Sequence, residues 1–532
     1  MLVILLFVLY FVIALVALVL AIRHTLHMFQ LNSYQYQAQG RYLRTHKFQT
    51  FFPVVGLVLV VFMAGGFAGT SLGAAFVAGI ASMAYMLGLC VNYLPKKAKK
   101  KLVLTARVKR MLVTTVLLAV IVAALVCGLI AASTVGRWWG ALSAAIFVPT
   151  VSPYLVLLAN LINKPIEQGI NRYYVNDARN MLKACPNLKI IGITGSYGKT
   201  SVKYYLHTLL GAGFDVLMTP ESYNTPMGVV KTIRGSLRAT HEIFLCEMGA
   251  RYVGDIKEIC DIVDPQVGII TSLGYQHLET FHSLDNIVGT KKELFDALPD
   301  GAPRYINGDN EFAVQYGLTK TAVTYGLNEG NDYRAFDLVY SEKGSTFKVQ
   351  APDGSVAEYT TKMLGEHNVV NITGAIAIAH DLGIALDKLK LPVRRLEGAP
   401  HRLQPLAKSS KLTIIDDAYN SNPNGTKMAL KTLSMFEGVK VLVTPGMVEL
   451  GSEEDKCNFE FGADAGKVCD YIVLVGRKQA ESLKKGVCST DFDTEKLYVA
   501  ENLQDALNYV YSIVTDQKLI VLLENDLPDN YL

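Results

Sequence analysis

The first 166 residues of this 532-residue chain contain no aspartate and no glutamate. All 47 acidic residues lie from Glu167 onward, whereas 14 of the 51 basic ones precede it. The remainder therefore holds 37 basic against 47 acidic residues, a net of −10 concealed in an overall +4. The same early stretch has no ionisable side chain inside its long apolar runs, which fall at about 2 to 22, 50 to 68, 70 to 92, 111 to 132 and 138 to 162. A proton or ion path through a bilayer needs acids, bases or histidines at depth, so this region reads as an anchor or lipid-facing platform rather than a conduit. The eight cysteines form no C-x-x-C pair and have no histidine at zinc-ligand spacing, so they read as free thiols and not as a zinc site.

Each apolar run is near the ~20 residues that a helix needs to cross a hydrocarbon core of ~30 Å. With 51% hydrophobic residues, the chain has more apolar side chains than cores of this size consume. A cleaved signal peptide fits residues 1 to 22 poorly, because no basic residue precedes the run and more runs follow. The basic residues crowd between runs: Arg23, Arg41, Arg44 and Lys47, then "KKAKKKLVLTARVKR" from Lys96 to Arg110. By the positive-inside rule those loops are cytoplasmic. The loops at 65 to 74 and 133 to 137 carry only Arg137, which suits the outside and puts everything after residue 163 in the cytoplasm. The expectation is a multi-pass protein of a bacterial cell membrane with cytoplasmic catalytic domains. Pro149 and Pro153 in the last run either kink it into a groove or are tolerated for packing.

After residue 166 short apolar runs alternate with amphipathic stretches: "LKIIGIT", "EIFLCEMG", "VGIITSLG", "LTIIDDAY", "KVLVTPGM", "YIVLVG" and "KLIVLL". Such runs suggest parallel strands covered on both faces, an α/β architecture. The stretch "LPVRRLEGAPHRL" at 391 to 403 reads as a linker. The expected division is a membrane region at 1–166, a central domain at 167–395 and a C-terminal domain at 396–532.

The central domain opens with "KIIGITGSYGKTSVKYYLHTL". A strand runs into Thr194, Gly195, Ser196, Tyr197, Gly198, Lys199, Thr200 and Ser201 and then a helix, the setting in which backbone N–H groups cradle phosphates. Lys199 would neutralise the β/γ oxygens of ATP and Thr200 would offer its hydroxyl to Mg²⁺. The full P-loop pattern wants glycine at 193 and finds Ile193.

Six further motifs follow in order: "SYNTPMGVV", "CEMGARYVGDI", "TSLGYQHLETFHSLDNIVGTKKELF", "INGDN", "GEHNVVN" and "IDDAYNSNP". Together they resemble the Mur ligases, and their "SYN" and "DDAYNSNP" versions are most similar to the members that add D-alanyl-D-alanine. The resemblance implies a P-loop central domain and a Rossmann-like C-terminal domain. It also implies an ATP-dependent amide ligase of peptidoglycan precursor synthesis, in which an acceptor carboxylate becomes an acyl phosphate that an amine opens. Position by position, Thr200 and Glu247 resemble ligands of one Mg²⁺ ion, and His277 and Lys291 resemble the residues around a second. Lys199, Glu247, His277 and Lys291 are thus the implied catalytic set. The lysine matching Lys291 is carbamylated in that family, which turns a cation into an anion that a second Mg²⁺ can use. Asn307, Arg402 and Asp416 look like the nucleotide clamp, and Asn224 and Asn420 look like substrate contacts. His282 has no motif support and reads as structural.

Three departures from the family stand out. Membrane runs occupy the place of the domain that grips the uridine nucleotide of the acceptor. Pro445 and Gly446 replace the usual Gly-Asp, and "LLENDLPDNYL" lacks a Lys-Gly-Ser-Arg loop. The expected partners are a muropeptide acceptor, nucleotide- or lipid-linked, an amine such as D-alanyl-D-alanine, and the membrane, with no nucleic acid. A membrane ATPase or transporter is disfavoured, because "EIFLCEMG" does not end in Asp-Glu and no Leu-Ser-Gly-Gly-Gln signature is present.

Overall fold

The computed structural model describes residues 2–45, 54–60, 72–95, 101–131, 137–221, 223–341, 344–398, 402–409, 411–418, 421–476 and 479–526. The chain divides into two compact units, one ending at Arg172 and one running Tyr173–Leu527.

The first unit is helical. Three of its described helices are long and apolar enough to cross a membrane, Ile4–Leu31, Ala106–Ile130 and Ala141–Lys183. The helix Ala106–Ala131 has 26 residues, about 39 Å at 1.5 Å per residue, which exceeds a hydrocarbon core. Its side chains Val113, Val120, Leu125 and Leu129 are exposed, an arrangement that costs free energy in water and none in lipid. Where helices meet, small residues allow close approach: Ala14, Ala17 and Ala21 of the first helix pack against Tyr85, Met86 and Leu89 of the helix Leu72–Asn92. Of the five expected runs, the one at 50 to 68 falls largely outside the described residues, as do Lys47, Lys96 to Lys100, 65 to 71 and 133 to 136.

The last run departs from its expected end at 162. Its helix continues, Arg137–Lys183, through Pro149, Pro153 and Pro165. Pro153 has no N–H to give Pro149 O, and Ser152 Oγ donates to that carbonyl instead at 2.8 Å, a repair that lets a helix tolerate proline. The expected boundary at 166/167 therefore lies inside a helix. There Glu167, the first acid of the chain, receives a two-pronged bond from Arg110, at 2.7 Å from Nε and 3.0 Å from Nη2.

The second unit holds two sheets. The larger has nine strands: β1 (Lys189–Thr194), β2 (Val216–Met218), β3 (Ile243–Glu247), β4 (Val267–Ile270), β5 (Arg304–Asn307), β6 (Val323–Gly326), β7 (Tyr333–Ser341), β8 (Gly344–Gln350) and β9 (Val356–Thr361). Their order is β2-β3-β1-β4-β5-β6-β7-β8-β9. Strands β1 and β3 to β4 are buried along nearly their whole length, because helices cover both faces of a parallel sheet. One face packs Val202, Leu206 and Ile376, and the other packs Ile256, Ile287 and Leu294. The sheet is not parallel throughout. β7, β8 and β9 form an antiparallel meander. The first half of β7 alternates buried with part-exposed residues, its second half part-exposed with exposed ones, and β9 alternates exposed with buried residues throughout, the pattern of strands wet on one face.

The smaller sheet contains β10 (Gln404–Lys408), β11 (Leu412–Asp417), β12 (Val439–Thr444), β13 (Tyr471–Val475), β14 (Leu497–Ala500) and β15 (Leu519–Glu524), in the order β10-β11-β15-β12-β13-β14. Only β10 runs antiparallel. The expected linker at 391 to 403 begins inside a helix, Leu386–Arg394, whose Leu386, Leu389 and Val393 are buried. That apolar stripe holds Pro392 in the last helical turn. All eight cysteines are free thiols.

Candidate active site

The loop between β1 and the helix Lys199–Leu210 is held by the loop that follows β4. Ser196 N donates to Ser272 O at 2.6 Å, Ser196 Oγ to Gly274 O at 2.9 Å, and Tyr197 OH to Tyr275 O at 2.6 Å. Thr194 Oγ1 donates to Met248 O at 2.9 Å, tying the loop to the end of β3. Gly195 sits at φ 145°, where a Cβ would stand 2.2 Å from Thr271 Oγ1, so only glycine lets the two loops meet. Tyr205, one turn beyond Ser201 on the helix, donates to Asn368 Oδ1 at 2.7 Å and fixes the helix against Glu366–Asp381.

Lys199 folds back over its own loop, with Nζ 2.6 Å from Gly195 O and 3.0 Å from Ser196 O. Burial pulls its ammonium down to about 8, Glu247 draws it up and Arg402 pushes it down. Beside it, Thr200 Oγ1 donates to Glu247 Oε1 at 3.0 Å and Asn224 Nδ2 donates to the same oxygen at 3.2 Å. The other oxygen of Glu247 faces Lys203 Nζ at 2.8 Å, with both side chains buried. Lys203 also reaches Glu221 O at 2.5 Å. Lys203 escaped the sequence reading. Its spacing, one helical turn after Lys199, was the available signal.

Lys291 comes from the helix Leu284–Ala297. That helix approaches closely because Gly192 of β1 and Gly268 of β4 are register partners and both face Leu294. A Cβ at Gly192 would lie 2.6 Å from Leu294 Cδ1. Lys291 is buried, with Nζ 5.9 Å from the Phe281 ring centre. Burial holds its ammonium well below the usual lysine range, Lys199 adds to the effect, and Asp255 and Glu293 oppose it. Lys292, by contrast, is an exposed partner of Asp296.

His277 caps the short helix Leu278–Phe281. Burial lowers its pKa, Glu449 raises it, and Arg251 and Lys291 lower it further. Its Nδ1 meets Glu449 Oε2, a partner no sequence pattern indicated. Asn307 Nδ2 donates to Ser272 Oγ at 3.2 Å, on the same loop that holds Ser196.

From the smaller sheet, Arg402 lies within the electrostatic reach of Lys199, Asp417 and Glu524. Asp416 is buried and accepts from Ala418 N at 3.0 Å. Asn420 lies outside the described residues. Lys199, Thr200, Asn224, Glu247, His277, Lys291 and Arg402 are thus gathered directly or through their charges. Asn307 joins by way of Ser272, and Asp416 is buried at the end of β11, beside Asp417.

Among the described residues no three of His, Cys, Asp and Glu cluster as a metal cage. Mg²⁺ does not need one, since it is typically held by one or two carboxylates, substrate phosphates and water. A hydroxyl and a carboxylate oxygen converging beside a lysine at a strand-to-helix turn are hard oxygen donors that fit this requirement.

Residues 193–379 match the Mur ligase middle domain, and residues 401–523 match the Mur ligase, glutamate ligase domain. The chain is 29% identical over 345 residues to the UDP-N-acetylmuramoyl-tripeptide–D-alanyl-D-alanine ligase of Escherichia coli strain K12, a match covering 62% of this chain and 75% of that one. To the enzyme of the same name from Bacillus subtilis strain 168 it is 34% identical over 278 residues, covering 52% of this chain and 60% of that one. A crystal structure of MurF from Acinetobacter baumannii superposes with a TM-score of 0.61 at 26% identity, covering 67% of this chain and 77% of that one. The two domain matches coincide with the two sheets and with the loops that carry the site, and the chain belongs to the Mur ligase family.

Proposed function

We propose that the chain is a membrane-anchored, ATP-dependent ligase that joins the carboxylate of a muropeptide to an amine such as D-alanyl-D-alanine in peptidoglycan precursor synthesis. The observation that carries this reading is the convergence of Thr200, Asn224 and Glu247 beside Lys199, in the segment that matches the Mur ligase middle domain. The relatives from Escherichia coli and Bacillus subtilis are named for that reaction.

The reaction must bring a carboxylate against the terminal phosphate of ATP, two anions that repel in water. Residues 194 to 201 form a P-loop whose backbone N–H groups receive the phosphates at a helix N-terminus. Lys199 turns from its loop carbonyls to the phosphate oxygens, a short move for a flexible stem. Asn307, Arg402 and Asp416 clamp the nucleotide, the last two from a Rossmann-like C-terminal domain. Asn224 and Asn420 contact substrate. Thr200 and Glu247 would hold one Mg²⁺ ion, and His277 with a carbamylated Lys291 a second. When bound, the ions neutralise phosphate charge as the acyl phosphate forms. A buried lysine is suited to carbamylation, because CO₂ adds only to the neutral amine and burial disfavours the ammonium.

A membrane region of residues 1–166 serves location and acceptor access, with the catalytic domains at 167–395 and 396–532 in the cytoplasm. A lipid-linked muropeptide is the second acceptor that this architecture favours, because a unit with three helices long enough to cross a membrane precedes the family match. Purified protein in detergent, given ATP and labelled D-alanyl-D-alanine with either the soluble nucleotide or the lipid-linked muropeptide, should label one acceptor. Labelling of neither removes the proposed reaction, and labelling of the lipid-linked form alone selects the second acceptor.

A further inference from the structure

Glu449 belongs to the loop after β12, 172 positions along the chain from His277, in the segment whose Pro445 and Gly446 depart from the family. Its carboxylate reaches the central domain at two points. Oε2 meets His277 Nδ1, and Oε1 lies 3.7 Å from Arg251 Nη1. Its carbonyl also accepts from Glu279 N at 3.4 Å. Both ends of the contact hold left-handed backbone, φ 52° at His277 and φ 65° at Glu449, conformations that non-glycine residues rarely adopt. Two such residues facing each other across a domain boundary define a built contact rather than a chance touch of surface chains.

The chemistry of this pair is directional. An ionised carboxylate only accepts hydrogen bonds, so the ring nitrogen facing it must carry the hydrogen. A neutral imidazole has one N–H. With that hydrogen on Nδ1, the lone pair is on Nε2, the atom left for a cation. Carboxylates placed in this way behind histidine ligands fix both the tautomer and the angle of the ring.

We infer that Glu449 is a positioning residue for the second metal site: reaching across from the C-terminal domain, it sets the His277 tautomer that offers Nε2 to a divalent cation. The inference rests on the proposed role of His277 at that site. It means that the ligand is competent only while the C-terminal domain is docked on the central one, so domain docking and metal occupancy are linked. Arg251 Nη1, 3.7 Å from the second oxygen, helps to aim the carboxylate.

The test uses the full chain in detergent with a non-hydrolysable ATP analogue and Mn²⁺ as the probe, followed by electron paramagnetic resonance. Glu449→Ala and Glu449→Gln should weaken the second Mn²⁺ about 10–100-fold and leave the first Mn²⁺ and the nucleotide affinity as they were. Glu449→Asp should recover part of the loss. A general loosening of the fold would instead lower both metal affinities and the nucleotide affinity together, and that result overturns the inference. So does a second Mn²⁺ that is unmoved in Glu449→Ala while His277→Asn loses it. If His277→Asn also leaves the second Mn²⁺ in place, it is the metal role of His277 that fails.

Discussion

Lys203 Nζ stands 2.8 Å from Glu247 Oε2, and neither side chain reaches solvent. Glu247 is thereby held from two sides, since Thr200 and Asn224 occupy its other oxygen. Removing one partner of a buried pair strands the other charge, at a cost of about 3–5 kcal/mol. Lys203→Met should therefore melt well below the parent chain, and the double variant with Glu247→Gln should recover much of that loss. Additive losses in the two single variants and the double would show that the pair is not coupled.

Lys291 and Lys292 are adjacent in sequence and opposite in environment. One is buried beside Phe281 and Lys199, and the other is exposed and paired with Asp296. Lys291→Ala should nearly abolish ligation, and added short carboxylic acids should restore part of it by supplying the missing anion. Lys292→Ala should stay active. A fully active Lys291→Ala eliminates the carbamate.

Gly192 leaves room for Leu294, and with it for the whole helix that carries Lys291. Gly192→Ala should cost about 1–3 kcal/mol through overpacking and reduce ligation by shifting Lys291. Adding Leu294→Ala should return activity by clearing the clash. Activity that stays low in the double variant would break the link between this contact and the site.

Asp417 and Glu524 are register partners on β11 and β15. Burial, with Asp417 beside it, raises the Glu524 carboxyl well above its usual range, Ser421 and Arg402 opposing. The folded domain therefore keeps a proton that the unfolded chain releases near pH 4. Because the folded pKa is the higher one, the contribution of Glu524 is most favourable below the unfolded pKa and declines as pH rises through the folded pKa. Glu524→Gln should raise the melting temperature at about pH 8 and change it little at about pH 4. An equal shift at both would show that the pair does not titrate with folding.

The basic loops at 23 to 47 and 96 to 110 set the expected topology. On intact cells, a cysteine introduced at 65 to 74 should react with an impermeant thiol reagent, and one at 97 to 101 should not. The reverse pattern overturns the cytoplasmic placement.

Seven strands were legible as short apolar runs, because a strand buried on both faces needs apolar residues at every position and ends where the run ends. β7, β8 and β9 were not, since strands wet on one face mix polar residues into the pattern. The end of the last apolar run also misled. Hydropathy falls after Ile162, but backbone hydrogen bonding does not follow hydropathy, and Ser152 repairs the break that Pro153 suggests.

By itself the sequence determined which residue types the site has at its disposal. A lysine and hydroxyl at a strand-to-helix turn, a glutamate at a strand end and the segregation of all acids beyond residue 166 are local facts, carried by composition and spacing. Tertiary structure alone decided which of them meet. Two glycines on neighbouring strands set how near Lys291 comes, and a loop 172 positions away supplies the partner of His277. The physical reason is that burial and charge–charge distance are properties of packing: the same lysine is an ordinary surface cation at 292 and a group burdened by its own charge at 291, and only the fold distinguishes them.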